Sequence, residues 1–166
     1  MSRAPGCAFT RAQRLRTPEQ FAALAGERAH WRAARQWIAA AALIKSETAA
    51  RTTEPEQRAQ WGGTVVASES ADQIEGGVRF GFTVGRRQGR RAVQRAMVKR
   101  VLREAVRHAA GELQGLARGR SVDVVLRLRS ALPEAGQMTR AVLKCSLRAE
   151  ADSLLAQLGR HLGATR

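Results

Sequence analysis

Arg91, Arg95, Lys99, Arg103 and Arg107 recur every four residues, a spacing that on a helix sets them along one slowly winding ridge. Cations held in this way bind phosphate, the arginines through paired N–H donors. Arg79, Arg86, Arg87, Arg90 and Arg100 complete a set of ten cations between residues 79 and 107, against a single anion, Glu104. A solvated helix face ordinarily mixes signs to gain i,i+4 pairs, and this one scarcely does. Self-repulsion on that scale is offset by a bound polyanion and the counterions it releases. Just before the ridge, Gly85-Arg86-Arg87-Gln88-Gly89-Arg90-Arg91 forms a link able to offer backbone N–H groups and guanidinia to phosphate oxygens.

The rest of the composition points the same way. The chain has 166 residues and a net charge of +15. Its only lysines are Lys45, Lys99 and Lys144, so the other 26 of its 29 cations are arginine, the side chain suited to phosphate and bases. Neither GxxxxGK(S/T) nor GxGxxG occurs, which argues against a nucleoside triphosphate or dinucleotide site. Cys7, Cys145, His30, His108 and His161 are scattered without metal-ligand or disulfide spacing. Free thiols and no protein-bound metal are expected. Residues 1–9 lack a signal-peptide core, and the longest apolar run, residues 38–44, falls short of the ~20 residues that span a bilayer. A soluble cytoplasmic protein with no membrane partner is the expectation.

These residues need elements to hold them. Residues 1–13 read as a disordered basic arm, and residues 14–160 as the single domain that would bind the polyanion. Thr17-Pro18-Glu19-Gln20 carries a hydroxyl N-cap, proline at the first helical position and a capping-box glutamine, predicting a short helix to Ala25. Arg35 to Ile44 is apolar on both parities, leaving strand or buried helix open. Residues 46–76 hold six acidic residues against Arg51 and Arg58 and read as an acidic loop insertion, with a weak strand at Gly63 to Ala67. Val78, Phe80, Phe82 and Val84 alternate with smaller or polar residues, predicting a strand with both phenylalanines in the core. On the helix from Arg91 to Arg107, Met97, Val98, Val101, Leu102 and Ala105 share the packing face. Gly111, Gly115 and Gly119 are read as a connection to a strand at Val122 to Leu128. Leu143, Leu147, Leu154 and Leu158 mark a last helix, Met138 to Leu158. An α+β sandwich is the natural architecture.

The run Arg79-Phe80-Gly81-Phe82-Thr83-Val84, followed by Ala92 to Glu104, resembles the signature of the bacterial ribonuclease P protein component. That family carries a strand of the form R-x-G-x-S/T-V and a helix of the form A-V-x-R-N-x-x-K-R-x-x-R-E. Arg14-Leu15-Arg16 followed by Glu19-Gln20-Phe21 is similar to the family's opening. The resemblance covers about residues 14–44 and 78–158. It departs at Ala96, where the family has asparagine, and at Met97, where it has a second arginine. One or two hydrogen bonds to RNA are lost there, each worth about 1 kcal/mol, while the phosphate contacts remain. The Gly89-Arg90-Arg91 link is one residue longer, and the 46–76 insertion replaces a short connection.

The resemblance implies a small α/β sandwich with a left-handed β-α-β crossover, the fold class of the second domain of ribosomal protein S5. It implies a protein subunit of ribonuclease P, an accessory to a ribonucleoprotein endoribonuclease whose RNA performs the hydrolysis with Mg2+. No catalytic side chain is then needed, and magnesium acts through the RNA. Arg86, Arg87, Arg90, Arg91, Arg95, Lys99, Arg100 and Arg103 would hold the catalytic RNA. A cleft between the sheet and the first helix would hold the single-stranded 5′ leader of precursor tRNA, with Phe21, Arg35, Trp37 and Arg79 as candidate contacts. Single-strand binding uses aromatic stacking with cations; positions often aromatic in the family are here Ala25 and Ala40, so the stacking surface is thinned. Phe21 is equally well explained by core packing, and Trp37 better so. Two other readings stay open. The same helix could serve a non-enzymatic or ribosome-associated RNA-binding protein; a DNA recognition helix is weaker, since a strand rather than a helix precedes it.

Overall fold

A computed structural model describes residues 9–25, 29–45, 77–134 and 136–165. The insertion 46–76, its predicted Gly63 to Ala67 strand, Cys7 and the first eight residues of the basic arm lie outside these. In chain order the elements are α1 (Pro18–Ala25), β1 (Trp31–Ala34), β2 (Ile38–Lys45), β3 (Gly77–Thr83), α2 (Ala92–Ala117), β4 (Ser121–Leu128) and α3 (Arg140–Ala164). The strands form one sheet in the order β1-β2-β4-β3. β1 and β2 make an antiparallel hairpin and β2 runs antiparallel to β4. β3 lies parallel to β4, with α2 as the crossover that parallel neighbours require. The fold is α+β.

Alternation decides which face of the sheet is covered by what. Ile38, Ala40 and Ala42 on β2, Val78 and Phe80 on β3, and Val122, Val124 and Leu126 on β4 are buried beneath α2 and α3 in one core. Met97, Val98, Leu102, Val106 and Leu113 of α2 and Leu143, Leu147, Leu154 and Leu158 of α3 complete it. On the opposite face α1 covers a smaller cluster, in which Leu15, Leu24 and Val125 pack with Phe21 and Leu43. The predicted core positions on both long helices and both clear strands are found there.

Several expectations move. Within the ambiguous run Arg35 to Ile44, residues from Ile38 onward are strand β2 and Arg35 to Trp37 form the turn of a hairpin from β1 that the sequence reading did not assign. α2 does not stop near Arg107: it continues through Gly111 and Gly115, whose added β-carbons would meet no atom within 4 Å. Ala110, Leu113 and Ala117 bury their side chains on its inner face, which outweighs about 1 kcal/mol of lost propensity per glycine. The helix ends at Arg118 (φ 51°) and Gly119 (φ 81°), two left-handed residues in succession. Arg120 then reaches back, donating to the carbonyls of Leu116 and Ala117 on α2 and of Leu162 and Thr165 at the end of α3. α3 extends six residues beyond the expected Leu158, with Leu162 still in the core.

The chain is already in place before Arg14. Phe9 packs edge-on against Phe80 and Phe82, with ring centroids 6.2 and 5.9 Å apart. The Gln13 carbonyl accepts from Phe80 N–H at 2.7 Å, and Leu15 N–H donates to the Phe80 carbonyl at 2.9 Å. Residues 9–13, assigned to the disordered arm, thus run along the edge of β3.

Candidate nucleic-acid interface

Arg95 organises the loop that feeds α2. Its Nη1 donates to the carbonyls of Gly89 (2.9 Å) and Arg90 (3.0 Å), while Gly89 N–H closes a turn on the Gly85 carbonyl. Gly89 is buried, and a β-carbon there would press 2.9 Å from Arg95 Cγ. Gln94 accepts from the Arg91 N–H at 3.1 Å, satisfying a donor at the helix start. Leu132 N–H donates to the Gln88 carbonyl, so the segment after β4 braces the loop from outside. Arg86, Arg87, Arg90 and Arg91 are exposed on this scaffold.

Along α2, Arg100 and Arg103 are exposed and Lys99 is half-buried. None of Arg86, Arg87, Arg91, Lys99, Arg100 or Arg103 is in an ion pair with a described residue; Arg90 lies 3.6 Å from Glu134, both largely exposed. Glu104 is engaged further along, by Arg107 at 2.5 Å and by His108 at 3.2 Å. The Arg107 hydrogen bond, with His108 assisting, holds its carboxyl below the usual range. Met97, Val98 and Leu102 are buried and Val101 packs beside them, as predicted. The loop and helix thus carry the eight candidate RNA-binding cations, six of them exposed, Lys99 half-buried and Arg95 holding the loop.

The second predicted site is a groove of about 670 Å³ between α1 and the sheet. Phe21 forms part of its wall, while alanines of β1 and β2 line it together with Val125, Thr83, Arg127 and Arg129. Ala25 and Ala40 line it too, so the positions expected to be thinned are at the groove. The ring of Phe21 rests on β3 at Gly81, packed with Leu15 and Val125. It is a core contact and a groove wall at once.

The other three leader candidates are placed elsewhere. Arg35 and Trp37 occupy the β1–β2 turn, which leans toward α3: Arg35 Nη2 donates to Ser153 Oγ at 2.9 Å, and Glu150 Oε2 accepts from the backbone N–H groups of Trp37 and Ile38. Trp37 packs against the large core. Arg79 shares the sheet face with the groove but does not line it, because its guanidinium grips Asp123 through two bonds of 2.7 and 2.9 Å. Lys45 reaches the same carboxylate at 2.9 Å. Asp123 is the buried charged residue of the described chain, and two cations neutralise it. Sequence reasoning missed Arg127 and Arg129 as groove cations, although their alternation with Leu126 and Leu128 had placed them opposite the core.

Among the described residues no three His, Cys, Asp or Glu side chains come together as a metal site, and no helix is long and apolar enough to cross a membrane. What the fold presents is a cationic face on an arginine-rich helix, with an alanine-lined groove on the far side of the sheet. A family model for ribonuclease P matches residues 9–152. The chain belongs to the bacterial ribonuclease P protein component family. Its fold is similar to the solved structure of the Staphylococcus aureus RNase P protein, with a TM-score of 0.54 and 15% sequence identity, over 88% of this chain and 94% of that one. No curated protein matches the chain.

Proposed function

We propose that this chain binds the catalytic RNA of ribonuclease P through α2 and the loop of residues 85–91, and the 5′ leader of precursor tRNA in the groove beneath α1, so assisting removal of the leader. The observation that carries this is the set of six cations on α2 and its loop that have no anionic partner among the described residues. Such charges favour a polyphosphate backbone, whose binding releases counterions. The alanine-rich groove suits a single strand held by Phe21, Arg127 and Arg129, with little base stacking. The cytoplasm, where tRNA precursors are matured, is the corresponding location.

In this reading the bond cleavage belongs to the RNA and its magnesium ions. Among the described residues, the carboxylates of Asp123, Glu104 and Asp152 are each engaged by cations. The protein's part is to bind and orient. The test is cleavage of a precursor tRNA by a bacterial ribonuclease P RNA at low magnesium, with and without the protein. Stimulation with release of an intact leader is expected. Tight RNA binding without stimulation would instead assign the basic helix to another structured RNA, a reading favoured only by Ala96 standing where the family's asparagine does.

A further inference from the structure

The cationic surface does not stop at α2. Between α2 and the first half of α3 runs an open trough, one wall formed by Lys99, Arg100 and Arg103, the other by Arg140, Lys144 and Arg148. The α3 cations are spaced by four residues, opposite the stripe of Leu143, Leu147 and Leu154 that faces the core. Arg140 and Lys144 are exposed and in no ion pair with a described residue, whereas Arg148 Nε is held by both oxygens of Asp152 at 2.9 and 2.8 Å. Two carboxylates also line the trough, Glu104 and Asp152, but Glu104 is engaged by Arg107 and His108 and Asp152 by Arg148, so among the described residues Lys99, Arg100, Arg103, Arg140 and Lys144 face one another without an anionic partner and repel.

The trough floor narrows the choice of occupant. Its apolar lining, Ala92, Val93, Ala96, Met97, Val101 and Ala149, is mostly small, leaving room for a sugar–phosphate backbone. No aromatic side chain lines it, so it offers no platform on which unpaired bases could stack. Paired RNA is recognised instead through shape, phosphates and 2′-hydroxyls. We propose that α3, through Arg140 and Lys144, forms the second wall of a trough that takes the backbone of a base-paired segment of the catalytic RNA. This rests on the reading of α2 as the RNA-binding face and adds to it an element that no signature residue marks.

Cys145 is exposed within the trough and provides the probe. The full chain with Cys7→Ser, carrying a tethered iron–EDTA group on Cys145, is bound to a bacterial ribonuclease P RNA transcript, and the strand cuts are mapped. Cuts within a paired segment are expected, and in the same protein with Arg140→Ala and Lys144→Ala they should fade. In the unlabelled double variant the slope of log binding constant against log salt should fall by about 1.8, or two phosphate contacts at ~0.9 each. Cooperative unfolding matching the parent protein shows that this variant is folded, and Arg140→Gln with Lys144→Gln serves as the alternative if it is not. An unchanged slope beside a reduced one for Lys99→Ala with Arg100→Ala would overturn the α3 wall while leaving the α2 surface standing. Cuts confined to unpaired loops would also overturn it. Unchanged slopes in both pairs would remove the α2 reading as well.

Discussion

Phe21 and Gly81 are fitted to one another: a β-carbon at Gly81 would sit 2.5 Å from Phe21 Cε1 and 2.7 Å from its Cζ. The missing side chain on β3 is what lets α1 lie flat on the sheet, and α1 in turn forms one wall of the groove. Gly81→Ala should therefore destabilise the fold by about 1–3 kcal/mol through overpacking. In a Phe21→Ala background the same substitution should cost much less. A double-mutant cycle from urea unfolding measures the coupling, and additive effects would separate the two residues.

Arg95 and Lys99 stand one turn apart on α2 but do different work. Lys99→Ala should leave thermal stability unchanged and lower the salt slope of RNA binding by about one phosphate contact, ~0.9. Arg95→Ala should also release the Gly89 and Arg90 carbonyls and loosen the arginine loop. Its unfolding temperature should fall, and its affinity should drop further than one contact explains. Binding titrations at several salt concentrations, paired with calorimetry, distinguish the two.

Arg120 is a cation turned to the protein itself. Its guanidinium serves carbonyls at the ends of both long helices, where the helix dipole also favours positive charge. Arg120→Ala should cost about 2 kcal/mol and lower Tm by about 4–8 °C. The salt slope of RNA binding should stay as it is.

Glu104 ties stability to acid. Its carboxyl is held below the usual range by Arg107 and His108, so its contribution is complete above the ordinary carboxyl pKa of about 4.3 and is lost as pH falls through the lower folded value. Glu104→Gln should flatten the acid limb of a Tm-against-pH curve below about pH 5. At neutral pH it should strengthen RNA binding by freeing Arg107.

Much of this molecule was legible because its patterns are long. The Arg91 to Arg107 ridge and the strands at Val78 and Val122 show the right period over enough residues to identify both element and face. β2 was ambiguous because Ala39 to Ala42 are small on both parities and fit a strand or a helix equally. β1 has four residues at a sheet edge and borrows its pairing from β2. The glycines at 111 and 115 were misread as punctuation because their cost is local while the burial that overrides it comes from α3 and the sheet. For the candidate site, the sequence located the cations on the helix and loop where the structure has them, but could not show that Arg35 and Trp37 turn to α3, or that Arg79 is bound to Asp123. Those are contacts across more than 40 positions in the chain.

Lys45 and Gly77 share a register partner: both pair with Ser121, one on each side of β4. The segment between them thus leaves and re-enters the fold across a single strand, a span of about 10 Å at the usual strand spacing. Its ends are pinned by the sheet, and Lys45 is fixed again by Asp123. Chain length at this point is consequently decoupled from the register of everything that follows. Where a loop joins two ends fixed in this way, doubling its length changes closure entropy by only about 0.6 kcal/mol, so sequence here can be lengthened, exchanged or cut back to a few residues without moving the strands on either side. Replacing residues 46–76 by a short glycine–serine link should leave cooperative unfolding and RNA binding intact.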